Sequence, residues 1–175
     1  IVNDDMPFLV DSLRMLLHER GLTTHLIIHP HLLARRNANG EMRELPATGD
    51  LAADYNAESL LHIEIDRETD ENALGELVSA TLSVLADVRA AVEDWQATRA
   101  RMAAIIATLK TRQPLQNHDE TAEAVEFLKW VNDHHFTFLG FREYTLSDGP
   151  DGDILSAVEG SALGLLRGKP GGISK

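Results

Sequence analysis

The sequence predicts an α+β fold, and three observations predict it. Residues 7–20 place apolar side chains at helical spacing between marked ends, residues 61–65 alternate apolar and polar, and about 40 residues from Asn72 to Lys110 contain no Pro and only one Gly, Gly75. The first pattern is an amphipathic helix, the second a half-buried strand, the third a long helix.

Taken in order, Ile1-Val2 reads as the end of a strand that begins upstream, so the first strand is expected to be largely truncated. In PFLVDSLRMLLHER, Leu9, Leu13, Leu16 and Leu17 recur on one helical face. Pro7 suits a first turn, Asp4 and Asp5 stand where carboxylates cap helices, and Gly21 is a good residue just past a C-terminus. Residues 22–36 read as a strand in which Pro30 demands an edge or a bulge. A turn at Asn39-Gly40 opens a long loop over 37–58, and residues 59–67 return as a strand.

Leu74, Val78, Leu82, Leu85, Val88, Val92, Trp95, Met102, Ile106 and Leu109 form one near-heptad stripe on the long helix. Such a helix is about 60 Å long, so its second half is expected to project and pack on something else. Gln113-Pro114 ends it, and residues 119–133, capped by Asp119, are expected to fold back on it as a hairpin. Residues 136–146 read as an aromatic strand, 148–152 as a turn, 153–158 as a weaker strand, and the Gly-rich tail from Gly160 as partly disordered. Trp95 and Trp130 lie on apolar stripes and are expected in the core or the hairpin contact.

The front of the chain therefore runs (strand)–helix–strand–loop–strand–helix, which with a fourth strand is the ferredoxin-like βαββαβ arrangement. Three regions are expected: an α+β module over 1–90, a helical extension and hairpin over 91–133, and an aromatic β segment with its tail over 134–175.

Composition narrows the function. The chain has 175 residues, 43% of them hydrophobic and only 5% aromatic, so Leu, Ile, Val and Ala carry the packing. No cysteine is present, which excludes disulfides, thiol catalysis and Cys-ligated zinc. A net charge of −12 repels phosphate backbones and anionic membrane surfaces, so neither nucleic acid nor membrane is an expected partner. No run of 18 apolar residues and no signal-peptide pattern occurs, and a cytoplasmic location is expected.

Motifs for chemistry are sparse. Gly164-Leu165-Leu166-Arg167-Gly168-Lys169-Pro170 is one residue short of a phosphate loop and has Pro where Ser or Thr belongs. No G-x-G-x-x-G follows a strand, so this segment is expected to hold no NAD or other cofactor. His25, His29 and His31 share a face of a regular strand, but their spacing fits no zinc pattern and further ligands, such as His62, would have to come from elsewhere. No metal site is expected from it. Adjacent His134 and His135 on a strand would point to opposite faces, one packed and one exposed. No catalytic residue is expected.

The run Asp5-Met6-Pro7-Phe8-Leu9-Val10-Asp11-Ser12-Leu13 resembles the D-x-P-G-L-L opening of ACT domains, small βαββαβ regulatory modules that often bind amino acids. Over most of the chain, VNDDMPFLVDSLRMLLHERGL, HLIIHPHLLARR, SLLHIEIDR, LADVRAAVEDW, FLKWVNDHHFTFLGFREY and GSALGLLR, in that order, are similar to the N-terminal region of the large bacterial NAD-specific glutamate dehydrogenases. Members of that family oxidise L-glutamate to 2-oxoglutarate and ammonia with NAD, in a catalytic domain far downstream. The resemblance implies a non-catalytic regulatory and assembly segment that self-associates as a homodimer and contacts other domains of the parent chain. A purely structural docking scaffold is the alternative. It also implies an effector site at the first strand–helix turn, around Asp4, Asp5, Met6, Phe8 and Asp11, with the carboxylates receiving an amino acid's ammonium group. Helix capping, worth ~1 kcal/mol, is the simpler account of those aspartates. The family's usual Gly after the Pro is Phe8 here, whose side chain would occupy space a ligand needs.

Overall fold

The computed structural model describes residues 1–46, 55–111, 118–149 and 152–170. Two units make it up, Ile1–Val88 and Arg89–Lys175. Mixed helix and antiparallel sheet content bears out the α+β class.

In the first unit, β1 (Val2–Asp4) leads into α1 (Leu9–Glu19). Then come β2 (Thr24–Ile28), β3 (His31–Arg36), β4 (Met42–Glu44), β5 (Asn56–Leu60) and β6 (His62–Ile65), and α2 (Glu71–Glu93) runs on into the second unit. A sheet of order β1-β5-β3-β4 lies beside a β2-β6 ladder. These are one antiparallel pairing with one register, since Ile28 faces His62 in the ladder and His31 faces Ser59 in the sheet. The break falls at Pro30, whose carbonyl accepts from the Leu60 N–H at 3.1 Å but which has no N–H to return. Pro30 is thus an interruption inside a paired run, not the edge or bulge position its sequence suggests. Three residues of β1 pair with β5, and no described strand lies on the other side of β1.

Helix α1 begins later than Pro7 because Phe8 is its N-cap, in the left-handed region at φ 72° and with no side-chain cap bond. Asp4 and Asp5 do not cap it, which corrects the simple reading of those residues. Its C-terminus closes as expected: the Leu22 N–H reaches the Leu17 carbonyl at 3.0 Å and the Gly21 N–H that of His18 at 2.9 Å, with Gly21 at φ 71°. Leu9, Leu13, Leu16 and Leu17 are all buried. Leu13, Leu16 and Leu17 line a small cavity of about 140 Å³ with Ile1, Ile63 and Ile65 of β6, and Leu77 and Thr81 of α2. Fully burying one such leucine stabilises by about 1.5–3 kcal/mol.

Instead of one helix, the structure has α2 of 23 residues and α3 (Trp95–Thr111) of 17. Asp94 lies between them, and its backbone still bonds Ala90 and Thr98 on either side. Nor is the predicted stripe buried throughout. Leu74, Val78 and Leu82 are 41%, 60% and 62% exposed, while Leu85, Val88 and Ala91 are buried. Steps of four residues advance about 40° beyond a full turn, so the early part of the stripe rotates away from the core.

In the second unit α4 (His118–Trp130) packs on α3, and Ile106, Val125 and Val131 are buried there. The expected helix end at Gln113-Pro114 lies outside the described residues, as does the Asp119 side chain. A wide turn, Val131–His135, follows with His134 at φ 60°. His134 and His135 are therefore in a turn and both exposed: His134 lies 3.1 Å from an Arg99 nitrogen, and His135 stacks on Trp130. Trp95 and Trp130 are 36% and 47% exposed, so neither is a core residue. The aromatic segment gives β7 (Gly140–Phe141) and β8 (Tyr144–Gly149). The latter forms a hairpin with β9 (Gly152–Ala157), and β7 pairs with β10 (Leu163–Gly164).

The tail is tied down as far as Pro170. Asp94 accepts the Gly164 N–H at 2.7 Å and the Arg167 Nε–H at 3.0 Å, and the Arg142 guanidinium donates to the carbonyls of Leu166, Lys169 and Pro170. Arg167 first, and then the Gly164 N–H, holds the Asp94 carboxyl below its ordinary range. Gly164 is at φ 59°, and a Cβ there would stand 2.2 Å from the Leu139 carbonyl.

Two outcomes are expected. Gly164→Ala costs about 2–5 kcal/mol in urea denaturation, from left-handed strain plus a backbone collision. Asp94, with its folded pKa depressed, contributes stability that is full above the unfolded value of about 3.9 and is lost as pH falls through the folded value. Asp94→Asn therefore lowers the melting temperature at pH 7 and flattens its decline as the pH falls below about 4.

Candidate functional site

The sheet register brings four polar side chains together beside the β1–α1 turn. Ser59 on β5 faces Asn3 of β1 on one side and His31 of β3 on the other, and it is fully buried. Its hydroxyl donates to Asp5 Oδ1 at 2.6 Å and lies 3.0 Å from His29 Nε2. Because that hydroxyl has one proton and gives it to the carboxylate, His29 Nε2 is the donor in the second bond. His31 Nδ1 reaches the same Asp5 oxygen at 2.9 Å. The Asp5 backbone is fixed as well, with its N–H on the Ala57 carbonyl at 2.9 Å.

Asp5 is the electrostatic centre. The Ser59 hydroxyl bond lowers its pKa, partial burial opposes this, and the bond and charge of His31 lower it further. An ionised carboxylate flanked by two imidazoles and a hydroxyl accepts a cationic group, either an ammonium or a metal ion. The two rings sit with centroids 4.5 Å apart, closer than the ~7 Å between same-face residues of a regular strand. The interruption at Pro30 lies between them.

The residues singled out from the sequence do not all share this place. Asp5 is in it. Asp4 is exposed on β1 opposite Glu58, Met6 is half-buried in the turn, and Phe8 caps α1 with its side chain largely exposed. Asp11 is on α1 and lines a different feature, a shallow open cleft of about 860 Å³ with Arg14, Met15 and His18. Of the histidines, His25 pairs with Asp66 at 2.8 Å and His62 with Glu64 at 3.2 Å, so neither joins His29 and His31. Ser59 had no signal in the sequence, because only the strand register aims it at Asp5.

Nearby, Arg36 makes a two-pronged bond to the buried Glu58, at 2.6 and 2.7 Å, and this holds the Glu58 carboxyl below its ordinary range. That pair sits one residue from Ser59 and fixes β3 against β5.

Comparison with known proteins agrees with this architecture. Residues 1–81 match the family described as glutamate dehydrogenase, ACT1 domain. The whole chain is 37% identical over 175 residues to an NAD-specific glutamate dehydrogenase of Pseudomonas aeruginosa, covering 100% of this chain and 11% of that protein. It is 36% identical over 168 residues to the enzyme of that name from Halomonas elongata, covering 95% of this chain and 10% of that one. A third relative, from Mycobacterium tuberculosis, is 24% identical over 172 residues, 98% of this chain and 10% of that protein. The chain thus spans about a tenth of the length of these relatives.

The turn geometry gives a prediction. Phe8 occupies a left-handed position that glycine adopts freely, at a cost of about 1–2 kcal/mol for any other residue. Phe8→Gly and Phe8→Ala both remove the ring, but only glycine relieves the strain. After allowing for the greater freedom of unfolded glycine, Phe8→Gly should be about 1 kcal/mol more stable than Phe8→Ala in chemical denaturation.

Proposed function

We propose, on the premise that this chain matches the N-terminal ACT-like region of the large NAD-specific glutamate dehydrogenases, that it is a non-catalytic regulatory and assembly segment of such an enzyme. The parent then oxidises L-glutamate to 2-oxoglutarate and ammonia with NAD in another domain, in the cytoplasm. The module is of the βαββαβ type. In support, the third long strand in sequence lies centrally between the other two, which leaves the outer edge of β1 for a fourth.

The observation that carries the regulatory reading is Asp5, held ionised beside His29, His31 and Ser59 at the strand–helix turn. A small amino acid is the effector class that suits it, with its ammonium group on Asp5 and its carboxylate toward the N–H groups of the α1 first turn. Phe8 restricts access, so a small side chain is favoured. No described helix is long and apolar enough to cross a membrane.

An assembly role has its own support. Leu74, Val78 and Leu82 form an exposed apolar row on α2. In the second unit Leu146 and Leu155 face one another on the β8–β9 hairpin, 62% and 49% exposed. A second copy of the chain is the occupant proposed for the α2 row, which gives a homodimer. Other domains of the parent cover the hairpin.

Two measurements test this. Isothermal calorimetry with each of the twenty amino acids should show saturable heat with at least one small member, abolished in Asp5→Asn. No heat with any of them leaves only the scaffold role. Light scattering should give a dimer for the native chain and a monomer for Val78→Asp with unchanged circular dichroism. A native chain that stays monomeric at high concentration overturns the dimer.

A further inference from the structure

The geometry points to a divalent metal site formed by Asp5, His29 and His31, selective for zinc or a similar first-row ion. It stands independently of any amino-acid effector. The ligand atoms these three residues offer all lie within 4.8 Å of one another. Bonds of about 2.0–2.2 Å to one ion require its ligands to be no more than about 4 Å apart. The His31 to Asp5 pair, at 2.9 Å, already meets that. Closing the rest takes side-chain rotation, for which the His31 side chain, 63% exposed, has room, while His29 is half-buried.

Two features separate this cluster from a chance meeting of surface groups. The first is support beneath it. Ser59, fully buried, orients Asp5 through one bond and His29 through another, as the outer partners of metal ligands do. The second is backbone anchoring. Asp5 is tied to Ala57, and His31 is paired opposite Ser59, so the two donors are held from separate strands of one sheet. Spacing on the β2–β3 run alone gave no metal signature because the third donor comes from the far side of β5.

The donor set decides the ion. Two imidazoles and one carboxylate suit zinc, cobalt or nickel, whereas magnesium and calcium prefer all-oxygen shells. On binding, His29 and His31 must each present a lone pair on one ring nitrogen. Each neutral ring does so by carrying its proton on the other nitrogen, and a ring already protonated releases it. Three protein donors leave a fourth position for water or another small ligand.

The test is titration of the purified protein, in metal-free buffer, with zinc chloride by calorimetry and with cobalt chloride by visible absorption. The expected result is one ion per chain, with the intense cobalt absorption of a four-coordinate site. His29→Ala and His31→Ala should each weaken zinc binding by more than about tenfold, and Ser59→Ala by about 10- to 100-fold. His25→Ala and His62→Ala should leave it unchanged, with circular dichroism checking the fold of every variant. No saturable uptake by the native protein overturns the site. So does uptake that survives in a folded His29→Ala/His31→Ala double variant.

Discussion

Ser59 is where three strands of the first unit are brought into mutual register. It faces a residue of β1 on one side and a residue of β3 on the other, and it has no exposure to solvent. A buried hydroxyl must be satisfied, and among the described residues this one is satisfied by Asp5 and His29. The requirement fixes the β1–α1 turn against the Pro30 interruption. A slip of one residue in β5 would turn Ser59 to the other face, leave Asp5 and His29 without their bridge, and expose the apolar side of β6 that α1 covers. The polar cluster and the leucine core of the first unit are thus two faces of one register.

The second unit is organised around a carboxylate as well. Asp94 lies at the break between α2 and α3, and its carboxylate receives the Gly164 N–H and the Arg167 guanidinium. Gly164 in turn has to be glycine, for its left-handed backbone and its approach to Leu139. The sequence runs LADVRAAVEDW, FLKWVNDHHFTFLGFREY and GSALGLLR, far apart in the chain, meet at this point. Gly140 pairs with Gly164 between β7 and β10, and Arg142 gathers the last carbonyls of the turn. What reads along the chain as a loose Gly-rich tail is therefore held by specific bonds through Pro170.

Legibility from the sequence followed the range of the interaction concerned. Local rules placed α1, its Gly21 terminus and the turn at Asn39-Gly40, where the Gly40 N–H bonds the Asn37 carbonyl. Alternation over 61–65 found the strand that ends at Ile65, because half-buried strands alternate whatever their partners, whereas the single strand read over 22–36 is two, β2 and β3, divided at Pro30. The same reasoning failed where a distant partner decides. Asp5 resembles a helix cap locally but is drawn to Ser59 and His31. Asp94 sits in an unbroken helical pattern but is claimed by Gly164 and Arg167. For the site, the sequence supplied Asp5, His29 and His31 as separate suspicions, grouped wrongly with Asp11, His25 and His62. Only the register of β5 between β1 and β3 sorts them.

Phe8 links the fold to the regulatory reading. The left-handed N-cap is a demand of the turn itself, since the chain must leave β1, pass Asp5 and enter α1 within a few residues. Related ACT modules are expected to meet that demand with glycine, which also leaves the turn open. Here the conformation is kept with a bulky residue, at the cost of strain. The left-handed geometry and the open turn are therefore separable properties. This chain retains the first with Phe8 in place of glycine, while the neighbouring carboxylate, imidazoles and hydroxyl stay assembled.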